Sequence, residues 1–211
     1  MSDLMLDVGL ANELKMAFRR GDWTNEEIKR LCEGDILKQV RGVVRGLAEV
    51  VAKSILDFFT AITLPAQPRF VARDHFKVDT SEAAEVRIGY LGDNFQAWFL
   101  NKVEEPVGET KLAIHTLAQA SLDQPIREEL GDRAEITLSQ LWALLKAQGK
   151  GEAGSLLTDG CWTITHIPDV SGTLRAVGAY WRTGHGDWCV DADSVEDPRR
   201  WREGRRVVSR K

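Results

Sequence analysis

The chemically able side chains of this sequence gather most closely at His185, Cys189, Asp191 and Asp193. Alternation along a strand sets the last three on one face, with His185 in the preceding turn. The strand rise puts the Cβ atoms of Asp191 and Asp193 about 7 Å apart. Such a pair suits acid–base work on a bound molecule. Cys189, Asp191 and Asp193 therefore form a candidate ligand face for a small-molecule-binding protein or a hydrolase. A plainer explanation competes, because antiparallel sheets commonly wet one side and a solvated face produces the same pattern.

Other chemistries find less support. His75, His115, His166 and His185 are scattered, and no Cys-x-x-Cys or His-x-x-x-His spacing occurs, so neither metal nor cofactor is expected. Gly-x-Ser-x-Gly is absent, and Ser155 after Gly154 lacks the strand–elbow–helix context of a nucleophile. Gly149–Gly154 has neither phosphate-loop spacing and reads as a connector after a helix. His166 shares a strand face with Trp162 and Ile164, which predicts a satisfied core histidine. No catalytic residue is assigned, and the balance leans away from an enzyme.

Nucleic-acid binding has two hints. Residues 24–47 are spaced like a helix-turn-helix, but Lys29 and Arg30 stand where that motif buries small or apolar residues. Residues 198–211 hold seven Lys/Arg against one acid, with Trp201 among them. Such charge attracts phosphate. It also suits Arg205–Arg210 as a closing edge strand, whose charges discourage edge-to-edge pairing. The edge strand is the favoured reading, and no nucleic acid is expected as partner.

These candidates need elements to hold them. Cys161–Ile167, Leu174–Trp181 and Trp188–Ala192 are runs of β-branched and aromatic residues joined by Gly/Asp turns, an antiparallel meander. Cys161 and Cys189 then sit on next-but-one strands about 9.5 Å apart, too far for a disulfide. Thr137-Leu-Ser-Gln140 has capping-box spacing and opens a helix to about Gln148. Alternation predicts strands over Phe70–Val78, Val86–Tyr90 and, after Gly92-Asp-Asn94, Phe95–Val103. Leu112–Leu117 is a further strand, and Pro125–Leu130 a short helical turn.

Residues 1–64 read as helices. Leu10, Leu14, Ala17 and Phe18 share a face up to Gly21, and Thr24-Asn-Glu-Glu27 is another capping box. Leu37, Val40, Val44, Leu47, Val51, Ser54 and Phe58 then recur in steps of three and four. They predict one amphipathic helix over 36–62, about 40 Å long. Gly42 and Gly46 are costly inside it and imply close approach of another helix. Val40, Gly42, Val44, Gly46, Leu47 and Val51 are thus the candidate protein-interaction residues, toward a second copy of the chain or another protein. The expected fold class is α+β: a helical segment over 1–64, a linker at Leu64–Pro68, and a mainly antiparallel domain over 68–211.

Bulk properties bound the rest. With 211 residues, 43% hydrophobic and 28% charged, the chain can bury a substantial core in one large domain or two small ones. Three cysteines are too few, and odd in number, for a secreted disulfide scaffold. Met1–Asp7 is acidic where a signal peptide is basic, and Val40–Leu64 is interrupted by charge at every fourth residue. The expectation is a cytoplasmic protein with no membrane partner.

Tyr90-Leu-Gly-Asp-Asn-Phe-Gln-Ala-Trp-Phe-Leu100 and Lys102-Val-Glu-Glu-Pro106 resemble a recurring family of uncharacterised small bacterial proteins. Gly186-Asp-Trp188, Ser194-Val-Glu-Asp-Pro198, Trp201, Gly204–Val207 and Ser209-Arg210 are similar to the same family's C-terminal end. The resemblance implies a bacterial cytosolic protein and no particular activity. The leading expectation is a non-catalytic interaction protein that associates through its N-terminal helices.

Overall fold

Asp7 accepts a hydrogen bond from the Leu10 amide at 2.8 Å and starts α1 (Val8–Arg20), which Gly21 closes. In the computed structural model, which describes residues 7–49 and 53–211, the chain divides into two units between Lys53 and Ser54. In the first unit, Thr24 and Glu27 form both bonds of the expected capping box and open α2 (Asn25–Leu31). The third helix, α3, spans only Ile36–Val44.

The short α3 corrects the continuous 36–62 helix. Gly46 takes φ +67°, the Leu47 amide donates to the Gly42 carbonyl at 2.9 Å, and the Gly46 amide donates to Val43 at 3.0 Å. This is a Schellman stop, which favours glycine because its left-handed residue would strain any side chain. Gly46 thus ends a helix, which gives this glycine a local role. Leu56–Leu64 is a strand, β1, and belongs to the second unit. The boundary therefore falls at Lys53/Ser54, not at the 64–68 linker. Glu129 secures the entry to β1, accepting from Ser54 Oγ at 2.5 Å and from the Ile55 amide at 2.8 Å.

The second unit is built on a seven-stranded sheet. Its strands include β3 (Ile88–Leu91), β5 (Thr110–Leu117), β6 (Thr163–Pro168), β7 (Leu174–Arg182), β8 (Asp187–Ser194) and β9 (Arg206–Arg210). The order is β1-β5-β9-β6-β7-β8-β3, antiparallel except at β6·β9 and β3·β8. The α+β class and the β6–β7–β8 meander are as expected. The edge position expected for the C-terminal strand is not, because β9 lies inside the sheet between β5 and β6. Residues 70–78 also differ: β2 (Phe70–Val71) pairs with β4 (Val103–Glu104), and a single turn, α4 (Ala72–His75), follows β2. Phe95–Val103 is not a strand; α5 (Asp93–Phe99) occupies most of it and buries Phe95 and Phe99, four residues apart.

Two cores follow from the alternation of the strands. Ile114, Ile167, Val177, Val190 and Val208 face α5 and α7 (Leu138–Lys146), with Phe76, Phe95 and Trp142 packed between. Leu56, Leu117, Ile164 and Val207 pack on the opposite side with Ile126 and Leu130 of α6 (Asp123–Leu130). No helix among the described residues is long and apolar enough to cross a membrane.

Candidate functional site

The sheet face that carries Ile164 is covered by α6 only in part. Beside that cover, β7 presents Ala176 and Gly178; the Trp162 ring lies over Gly178, and Ala176 is too small to fill the space above it. A cleft of about 370 Å³ opens there. Asp191 and Asp193 of β8 border it on one side, Trp162 stands ahead of β6, and Arg199, Trp201 and Arg202 form its wall. Two of the three expected ligand-face residues are therefore brought together in a concavity. Cys189 shares their strand parity but is buried opposite Tyr180 and does not line the cleft. Burial pushes its thiol up to about 11.

Gly178 matters for what stands over it. A Cβ there would lie 2.6 Å from the Trp162 ring, so the indole rests directly on the strand backbone. The Trp162 ring is 4.3 Å from the Tyr180 ring and 6.4 Å from the Trp201 ring, centroid to centroid. Asp191 folds back along the sheet, its Oδ1 accepting from the Ala192 amide at 2.8 Å. Asp193 is paired with Arg199 at 2.9 Å, and Arg199 also holds Asp197 at 3.0 Å. Burial raises the Asp193 pKa above the ordinary carboxylate value, against the opposing pull of Arg199.

Asp123, at the first turn of α6, is the residue that sequence reasoning missed. Its Oδ1 lies 2.8 Å from His166 Nε2, and its Oδ2 accepts from Trp201 Nε1 at 3.0 Å. Ser121 and Trp201 add two backbone hydrogen bonds, of 3.0 and 2.8 Å. The cleft wall is thus pinned to the sheet by one buried carboxylate and one isolated bridge. His166 is buried as its neighbours on the strand implied, but only half satisfied: Nε2 meets Asp123 while Nδ1 has no partner among the described residues. His185 lies in the β7–β8 turn, outside the lining. Among the described residues, no group of three or more His, Cys, Asp or Glu side chains is arranged to hold a metal.

Two arginines of the basic C-terminus are engaged with their own chain. Arg206 donates to the carbonyls of Gly154 and Ser155 at 2.7 Å each and stacks over Phe59, and Arg210 donates to the Asp132 carbonyl.

The interaction residues expected near the N-terminus lie in the helical unit, apart from Val51, which is outside the described residues. None of the residues of α1, α2 or α3 is buried. Val44 and Leu47 are 80% and 79% exposed, and Val40 is exposed as well. Gly42 and Gly46 serve the helix stop described above. Compared with family models, with curated proteins and with solved structures, the chain matches none.

Proposed function

We propose that this chain acts by association, its N-terminal helices docking on a second copy of the same chain. One observation supports the reading above others. The helical unit leaves Leu10, Leu14, Trp23, Leu37, Val44 and Leu47 exposed and buries no helical side chain of its own. Exposed apolar surface on that scale marks an interface, and helices this short draw their stability from packing.

Charge favours a like partner. Residues 1–53 carry 9 basic and 9 acidic side chains, so no net field holds two copies apart. Glu33 and Asp35 precede α3 while Arg41 and Arg45 lie toward its end. A two-fold antiparallel pairing of α3 would set each acidic end against the other copy's basic end.

Light scattering on the full chain at micromolar concentration tests this. A mass of two chains or more is expected, falling to one on the double change Val44→Asp and Leu47→Asp with circular dichroism unchanged. A wild-type chain that stays monomeric would overturn the reading.

A further inference from the structure

We infer that the cleft over Ala176 and Gly178 is a binding site for a neutral saccharide of one or two rings. The inference is independent of the helical unit and of association.

Size comes first. At about 370 Å³ the cleft lies at the small end of the range for small-molecule sites. Its floor is open at Ala176, where a larger residue would close it, while Gly178 seats the Trp162 ring that borders it.

Charge then narrows the class. Four aspartates and four arginines line the cleft, so its formal charge is balanced. An anion attracted by the arginines meets the carboxylates, and a cation meets the reverse. A neutral ligand with many hydroxyls meets no such conflict, because each hydroxyl both donates and accepts. Asp191 has no ion-pair partner among the described residues, and its carboxylate is left to accept from such a hydroxyl in a charge-assisted bond. Arg202 likewise has none among the described residues and offers donors at the cleft.

The aromatic lining completes the match. Trp162 and Trp201 both border the cleft, and their positions are fixed, the first by contact with Gly178 and the second by Asp123. Indole faces give broad apolar contact beside polar groups. A sugar ring has that dual character, with C–H groups on its faces and hydroxyls at its rim.

Saturation-transfer NMR and tryptophan fluorescence on the full chain test the inference. The probes are glucose, galactose, mannose, N-acetylglucosamine, maltose and cellobiose, with inorganic phosphate, glycine and spermidine as charged alternatives. At least one saccharide should bind saturably with a Kd at or below about 1 mM. Asp191→Asn keeps the side-chain shape and should weaken binding about tenfold, as expected for loss of one charge-assisted bond. Ala176→Leu should block the floor and abolish binding; if that variant fails to fold, Asp191→Asn still decides. The inference is overturned if no saccharide binds below about 10 mM. Binding of a charged probe alone, or saccharide binding unchanged in both folded variants, overturns it equally.

Discussion

Asp123 Oδ1 lies 2.8 Å from His166 Nε2, with both side chains removed from solvent. The same carboxylate takes the Trp201 indole N–H, so it joins α6, β6 and the 197–205 segment at one point. An Nε2–H donating to Asp123 leaves Nδ1, which has no partner among the described residues, as the lone-pair nitrogen. Asp123→Ala removes both acceptors and strands two donors, which should cost about 3 kcal/mol. Asp123→Asn keeps the shape and should cost less. Urea unfolding measures both. A loss below about 0.5 kcal/mol for the alanine variant would show that the three elements stay joined without this carboxylate.

The β6–β7 turn provides an acid-sensitive point. Asp169 is buried, which by itself raises its pKa, but it accepts from the Ser171 hydroxyl, Arg175 Nε and the amides of Ser171 and Thr173. These bonds outweigh burial and hold the carboxyl at about 2. A folded pKa below the unfolded value means stability that is present above pH ~4 and lost as pH falls toward 2. The loss should be on the order of 2 kcal/mol. Asp169→Asn should be less stable at neutral pH and should flatten the stability profile between pH 4 and 2. A variant profile as steep as the wild type would place the acid sensitivity elsewhere.

The three cysteines are unpaired and differ in access: Cys32 is exposed, Cys161 half-buried and Cys189 buried. Thiolate is the reactive form, and burial raises the Cys189 thiol to about 11. Iodoacetamide at pH 8 should therefore alkylate Cys32 first and Cys189 only on unfolding, followed by peptide mass spectrometry. Early labelling of Cys189 would mean that β8 opens readily.

What was legible in the sequence depended on whether the controlling contacts were local. The capping boxes at Thr24 and Thr137 and the β6–β8 hairpins form as read, because their signals are contained within a few residues. β1 was not legible: a register shift between Phe58 and Thr60 breaks its two-residue alternation. Both phenylalanines are then half exposed, and the run keeps a helical spacing with α3. In α5, seven residues are too few to display a helical period against the strand-like Tyr90–Leu100 background. Asp191 and Asp193 could be placed on one face by parity alone. Asp123 could not be joined to them, since its partners His166 and Trp201 are brought to it only by the sheet and the 197–205 segment.

The position of β9 was equally hidden, and it carries the sharpest consequence. Arg206–Arg210 pairs with β5 on one side and β6 on the other, so its backbone serves two neighbours. Val208 enters the core beneath α5 and α7, and Val207 enters the core beneath α6. Removing residues 206–211 would open both cores and strip hydrogen-bond partners from two strands. Trimming an edge strand would instead leave most of the sheet intact. The truncated chain should therefore lose its near-ultraviolet circular dichroism and its cooperative melt. Val207→Ala and Val208→Ala should each destabilise the full chain by about 2 kcal/mol, since both side chains are fully buried. A truncated chain that still melts cooperatively within a few degrees of the wild type would mean that β5 and β6 do not depend on β9.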